Sequence, residues 1–277
     1  MTRILHLSDL HFGAHDERLV EAVVGETDAL KPDLIVISGD FTQRATTEQF
    51  GEACKFLERL RDRGHEVLGV PGNHDVPLYD VLRRFLSPLA RYRRFIDDAL
   101  CPFIELPAVA VLGVNTARSF TFKDGRINKD QVALIRETFA RTPSETMRVI
   151  VTHHPLFALK VGGETERAVG RQELALDALE ESGVDMVLAG HAHHASSQDA
   201  GDLVTRAGGI LVVQAGTATS TRVREQEQSF NTIDIADGSA TITVHGWDGD
   251  DFRASDALRY QLQDGRWRIL DSVEHAH

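Results

Sequence analysis

Five short polar motifs carry side chains that bind divalent cations: Asp9-x-His11, Gly39-Asp40, Gly72-Asn73-His74-Asp75, His153-His154-Pro155 and Gly190-His191-x-His193. Seven of the 13 histidines (His11, His74, His153, His154, His191, His193 and His194) lie in or beside them. Asp9, His11, Asp40, Asn73, His153, His191 and His193 together offer seven donors, too many for one transition-metal ion. They suit two ions that share a bridging carboxylate, about 3.5–4 Å apart. Mixed oxygen and imidazole ligation fits Mn, Fe or Zn, and no thiolate is at hand to enforce zinc. In an extended chain residues i and i+2 point the same way, so Asp9 with His11, and His191 with His193, are each expected to reach one ion.

Two adjacent divalent or mixed-valence ions do three things for a phosphate ester. They lower the pKa of a shared water toward neutrality, which gives a metal-bound hydroxide nucleophile. They clamp the non-bridging oxygens and offset charge as it develops. They also align attack opposite the leaving oxygen. His74, next to Asn73, is then free to protonate the leaving group or to touch a phosphate oxygen, and it is the expected catalytic residue.

The elements that must position these groups are legible as alternation. Residues 3–8 read as a strand, 17–30 as an amphipathic helix, 34–38 as a β-branched strand, 46–61 as a helix capped by Thr46 or Thr47, and 67–70 as a strand. The pattern resumes with strands at 109–114, 149–151 and 186–188 and helices at 129–140 and 171–182. Such alternation predicts mostly parallel sheet covered by helices, with ligands beyond the carboxyl ends of the strands, where every motif falls. After about residue 203 the chain turns β-rich. Strands at 233–235 and 241–244 flank Asp237-Gly238, and strands at 258–262 and 267–270 flank Asp264-Gly265, both hairpin signals. The expectation is a single domain over 1–277 whose second sheet is completed by these C-terminal strands.

With the motifs in this order, the chain resembles the calcineurin-like metallophosphoesterase superfamily over residues 9–193. The resemblance implies a four-layer αββα sandwich with two mixed sheets flanked by helices. It implies Asp9, His11 and His193 on one metal, Asn73, His153 and His191 on the other, Asp40 between them and His74 as the catalytic histidine. Gly-Asn-His-Asp and His-His-Pro are most similar to the cyclic-nucleotide phosphodiesterase branch. Protein phosphatases of the superfamily usually show Gly-Asp-x-x-Asp-Arg-Gly and Gly-Asn-His-Glu, which Gly39–Ala45 and Gly72–Asp75 do not match. The expected activity is hydrolysis of a small diester such as a 3',5'-cyclic nucleotide. The alternatives are a phosphomonoesterase, a glycerophosphodiesterase, a pyrophosphatase on a lipid- or nucleotide-linked precursor, and a catalytically silent protein-binding scaffold.

Composition bounds the rest. A formal net charge of −12 disfavours broad nucleic-acid binding. Cys54 and Cys101 are the only cysteines and have no ligand spacing, which fits a reducing compartment. No secretory signal and no apolar run of membrane-spanning length is evident, so a cytoplasmic, soluble protein is expected, with a homo-oligomer left open. Lesser candidates each have a plainer reading. Arg44 could grip a substrate phosphate or sit in water at a helix start. Asn115 could touch substrate or shape a turn. His154 is expected behind the ligands or facing substrate. His6 reads as a core histidine, His245 as pointing outward, and His65, His275 and His277 as surface or tail residues. Residues 76–104 mix Arg83, Arg84, Arg91, Arg93 and Arg94 with large apolar side chains. They read as a packed helical insertion in preference to a basic, apolar lid for an anionic amphiphile or membrane surface.

Overall fold

The computed structural model describes residues 1–121, 124–161, 164–191, 195–199, 209–221, 227–255 and 257–273. The N-terminal half opens β1 (Thr2–Leu7), α1 (Glu17–Leu30), β2 (Leu34–Ile37), α2 (Thr47–Asp62) and β3 (Val67–Gly69). Asp16 and Thr46 cap the two helices, each side chain accepting a backbone N–H of the first turn. Two short helices follow, α3 (Val81–Leu86) and α4 (Ala90–Phe95). The chain then runs through β4 (Phe103–Glu105), β5 (Val109–Gly113), α5 (Lys129–Phe139), β6 (Met147–Thr152), the hairpin β7 (Leu159–Val161) and β8 (Glu164–Glu166), α6 (Gln172–Glu181) and β9 (Met186–Ala189). Asn128 and Gln131 start α5 with a reciprocal capping box. The remainder is β10 (Ser196–Asp199), β11 (Leu211–Gln214), β12 (Ser229–Ala236), β13 (Ser239–Trp247), β14 (Phe252–Ala254), β15 (Ala257–Gln263) and β16 (Arg266–Val273).

These form two large mixed sheets. The first has the order β16-β15-β13-β12-β1-β2-β3, with β14 on β13, and the second β10-β11-β9-β6-β5-β4. Alternation along each strand sorts the side chains into layers. Leu5, Leu7, Ile35 and Ile37 face α1 and α2, whereas Ile4, Leu34 and Val36 face the second sheet and pack with Val111, Val149, Val151 and Leu188. The other face of the second sheet, through Ala110, Leu112, Ile150 and Val187, packs on α5 and α6. The layers are therefore helix, sheet, sheet, helix, the expected αββα sandwich.

The C-terminal strands differ from the expectation. β11 joins the second sheet beside β9, but β12–β16 extend the first, because β12 pairs antiparallel with β1 from Thr2↔Ile235 to His6↔Asn231. Hairpin signals fix neighbours within a meander and say nothing about which distant strand edge the meander meets. Among the described residues no helix is long and apolar enough to cross a membrane.

Candidate metal centre

The parallel strands β1, β2, β3, β6 and β9 deliver the motifs to one edge of the sandwich. Asp9 and His11 do not arrive as extended chain: β1 ends at Leu7, and both residues are left-handed, with φ of +54° and +50°. Asp40 (φ +54°) and His191 (φ +68°) share this conformation, so four of the nine non-glycine residues with positive φ among those described are predicted ligands. Left-handed backbone costs roughly 1–2 kcal/mol per residue, and it persists where surrounding contacts demand it. Here the Asp9 N–H donates to the Gly39 carbonyl (3.1 Å) and the His11 N–H to the Asp40 carbonyl (2.9 Å), which locks the two loops together. The i, i+2 reading is thus corrected for Asp9 and His11, whose side chains are placed by left-handed loop residues and not by strand alternation; for His191 and His193 it lies outside the described residues.

Close approach makes the glycines necessary. A Cβ on Gly72 would overlap the Asp40 carboxylate and backbone nitrogen, and one on Gly39 (φ +101°) would strike the His153 ring at 2.6 Å. Asp40, fully buried, sits at the middle. Its Oδ1 accepts the His74 N–H at 2.8 Å, and its Oδ2 lies 3.3 Å from His153 Nε2 and 3.8 Å from His11 Nε2. Asp9 Oδ1 is 3.5 Å from His11 Nε2, while its Oδ2 accepts from the Ser8 hydroxyl (2.6 Å) and the His191 N–H (3.1 Å). On the other side His153 Nε2 lies 3.1 Å from Asn73 Oδ1 and 3.3 Å from His191 Nδ1.

The donor chemistry of His153 tests whether this cluster suits a cation. Its Nδ1 is 2.8 Å from the Ser38 carbonyl, so Nδ1 carries the proton and donates. In the neutral ring Nε2 then presents a lone pair to Asp40 Oδ2 and Asn73 Oδ1, which also present lone pairs. Only a positive charge makes that arrangement favourable, either a proton or a metal ion. Burial disfavours the charged ring, yet attraction to Asp40 and Asp9 and the Ser38 contact raise its pKa to about 9. Burial likewise works against the Asp40 carboxylate, but His153, His74 and His11 hold it well below the usual carboxylate range. The residues fit a metal centre. Donor atoms of Asp9, Asp40 and His153, and of His153, His154 and His191, lie within 4.8 Å of one another in each set.

The remaining expectations divide. His74 Nδ1 donates to the Gln43 carbonyl at 2.8 Å, and its ring stands edge-on to His11 with centroids 4.9 Å apart, at the centre as expected. His154 is buried, and its ring nitrogen lies within 4.8 Å of donor atoms of His153 and His191. Its Nδ1 lies 2.8 Å from the Thr116 hydroxyl, and its Nε2 has no hydrogen-bond partner among the described residues. Burial, reinforced by His153 and His191, holds its pKa well below the ordinary value. Arg44 is exposed, and its guanidinium lies over the Tyr79 ring at 5.7 Å. Asn115 Oδ1 accepts the Ala117 N–H at 2.9 Å, a turn contact. His193 and His194 lie outside the described residues, as do His275 and His277. His6 is a core histidine bonded to the Ser38 hydroxyl (2.9 Å), and burial lowers its pKa to about 3. His245 does not point outward: it is buried and stacked at 4.6 Å on Phe230, its partner across β12–β13, because that face of the sheet, as Phe230 shows, belongs to the cluster packed with α1 and α2. His65 is also tucked in, its side chain 11% exposed and 3.9 Å from Asp28.

Sequence reasoning assigned Asp75 no role, although it closes a quoted motif. Its carboxylate is fully buried and accepts the N–H groups of Phe41 (3.2 Å), Thr42 (2.9 Å) and Gly72 (2.9 Å) and the Thr42 hydroxyl (3.0 Å). It therefore ties the Asp40 loop to the Asn73–His74 loop. Burial and the nearby Asp40 charge push its carboxyl up to about 7, against the downward pull of the Gly72 and Thr42 bonds.

Two sheets between helices, with carboxylates, imidazoles and an amide gathered where the parallel strands end, make the architecture of a metallophosphoesterase. The chain belongs to the calcineurin-like phosphoesterase family, whose model matches residues 2–195. A probable cyclic nucleotide phosphodiesterase of Synechococcus sp. is 26% identical over 188 residues, 65% of each chain. The DNA double-strand break repair protein Mre11 of Saccharolobus solfataricus is 37% identical over 89 residues, 28% of this chain and 23% of that one. The chain thus spans less than two thirds of the length of either relative. A dimetal phosphatase from Danio rerio has a similar fold, with a TM-score of 0.65 at 12% identity, covering 91% of this chain and 98% of that one.

Proposed function

We propose that this protein is a phosphodiesterase that works with two divalent cations on a small diester such as a 3',5'-cyclic nucleotide. The observation that carries the reading is the place of Asp40 Oδ2, which faces His11 on one side and His153 on the other. One carboxylate thereby joins an Asp9–His11 side, to which His193 is assigned, and an Asn73–His153–His191 side. The donors suit Mn, Fe or Zn. A pair of ions bound there supplies Lewis acidity for phosphate oxygens and acidifies coordinated water.

The chain's own groups do the rest. The Gln43 carbonyl fixes the His74 ring through Nδ1, which leaves Nε2 to pass a proton to the leaving oxygen. His154, whose buried Nε2 has no hydrogen-bond partner among the described residues and whose ring lies 4.8 Å from that of His191, is read as standing behind the ligands or facing substrate. The choice of a diester is supported by the Synechococcus relative named for cyclic nucleotides. The Mre11 match favours a nucleic-acid phosphodiester instead, against which stands a net charge of −12.

The test is metal analysis with turnover of bis(p-nitrophenyl) phosphate and of p-nitrophenyl phosphate on Mn-loaded protein. Asp40→Ala is expected to lose both metal and turnover. His74→Ala is expected to retain metal and lose about 10²–10⁴-fold in kcat. Full activity in Asp40→Ala would defeat the shared-carboxylate assignment, and preference for the monoester would move the protein to the phosphomonoesterase alternative.

A further inference from the structure

The stretch after the Asn73–His74 loop packs as expected over its second half, where Leu89, Tyr92 and Ile96 join the core, but residues 78–86 do not pack away. Seven of the twelve large hydrophobic side chains exposed among the described residues fall in residues 78–86 and at Phe120. Leu82, Leu86 and Phe120 are 72%, 76% and 86% exposed, where side chains of this kind are normally scattered singly. The Phe85 and Phe120 rings, from separate segments, meet at 5.2 Å and so form one patch.

This patch is built on a fixed support. Arg84 is buried, and its guanidinium donates to the carbonyls of Pro77 (3.0 Å), Ser119 (2.8 Å) and Thr121 (2.9 Å). It fastens α3 to the segment that carries Phe120. Beneath lies α4, anchored by buried Tyr92 and by Arg91 donating to the Ala45 carbonyl at 2.6 Å. A cavity of about 420 Å³, lined in part by Leu86, Leu89, Leu100, Ala117 and Arg118, runs between α3–α4 and the segment after β5. The cavity also reaches the loop that follows β3, since Val76, which lines it, follows Asp75 in the chain.

Charge decides what covers it. Residues 77–98 hold five arginines and three aspartates, a local excess of two positive charges on a chain of net −12. Arg94 is exposed, Arg93 is exposed and paired with Asp98 at 2.8 Å, and Arg83 is half-buried and paired with Asp80 at 3.0 Å. A second copy docked about a two-fold axis would set these arginines against their own kind. An anionic lipid surface meets them with opposite charge and accepts the protruding apolar side chains at the level of its headgroups. The acidic remainder of the chain, repelled by the same surface, orients this face toward it.

We propose that Leu78–Leu86 and Phe120, with the flanking arginines, form a docking face for an anionic phospholipid membrane, which brings the end of the Asn73–Asp75 loop toward the lipid–water interface. The proposal rests on the fold and stands apart from the choice of substrate.

The test is flotation of the full chain with vesicles of phosphatidylcholine alone and of phosphatidylcholine and phosphatidylglycerol in equal parts, at low and high salt. The triple variant Leu82→Ser, Leu86→Ser, Phe120→Ser changes only exposed side chains, and its melting temperature checks that it folds. The wild-type chain is expected to float with the anionic vesicles, to release at high salt, and to lose binding about tenfold or more in the triple variant. Failure of the wild type to bind anionic vesicles, or equal binding by a folded triple variant, would overturn the proposal. So would a wild-type dimer in light scattering that the triple variant converts to a monomer, since a second copy would then be the occupant.

Discussion

At the scale of single residues, His153 is the proposed ligand whose protonation sets how the centre would take up a cation. With Nδ1 committed to the Ser38 carbonyl, a proton and a metal ion compete for Nε2. The metal-free pKa of about 9 puts that proton on the ring at neutral pH. The sign follows: a cation that displaces it binds more tightly as pH rises, with the gain ending near pH 9. Calorimetric titration of Mn²⁺ into metal-free protein should show proton release below that pH and an apparent Kd weakening by up to about tenfold per unit as pH falls. A pH-independent Kd between 6 and 8, roughly the window in which linkage predicts the slope, would mean that His153 does not bind the ion. The type and spacing of His153 were readable from the sequence. Its tautomer was not, because that depends on a carbonyl 115 residues away.

At the scale of elements, the loops after β2 and β3 act as one unit. Asp75 draws N–H groups from both, and Gly72 passes so close to Asp40 that no side chain fits between them. Gly72→Ala is expected to leave the fold cooperative but to displace Asp40, with bound metal falling well below stoichiometry by elemental analysis. Gly51→Ala is the control: it lies within α2 with open space around its Cα, so the methyl should raise stability by about 0.5–1 kcal/mol and leave metal content unchanged. Equal metal content in the two variants would show that the close approach does not position Asp40. The helices were legible because their apolar period and caps are local. The left-handed turns at Asp9, His11, Asp40 and His191 were not, since loop contacts impose them against intrinsic preference.

At the scale of the molecule, the family match ends at residue 195, yet the sandwich does not. β12 borders β1, and Ile233, Ile235, Ile242, Tyr260 and Trp267 fill the space between the sheets. Each such side chain contributes roughly 1.5–3 kcal/mol on burial, so their sum rivals the 5–15 kcal/mol that stabilises a typical domain. A chain cut after Thr221 should therefore aggregate or melt without cooperativity, although it retains every proposed ligand. A monomer by size exclusion with a sharp thermal transition would refute this dependence.

The sequence by itself determined the candidate donors, their order, and the alternation that sends the motifs to the strands' carboxyl ends. These follow from residue chemistry and from periods of 2 and 3.6 that operate within a dozen residues. Only the tertiary structure decided that β12–β16 extend the first sheet, that His245 is buried, that Asp75 ties two loops together, and that α3 holds its apolar side chains out to solvent. Each of those outcomes depends on contacts between residues far apart in the chain, and no local pattern encodes which distant partner an edge, a ring or a carboxylate will meet.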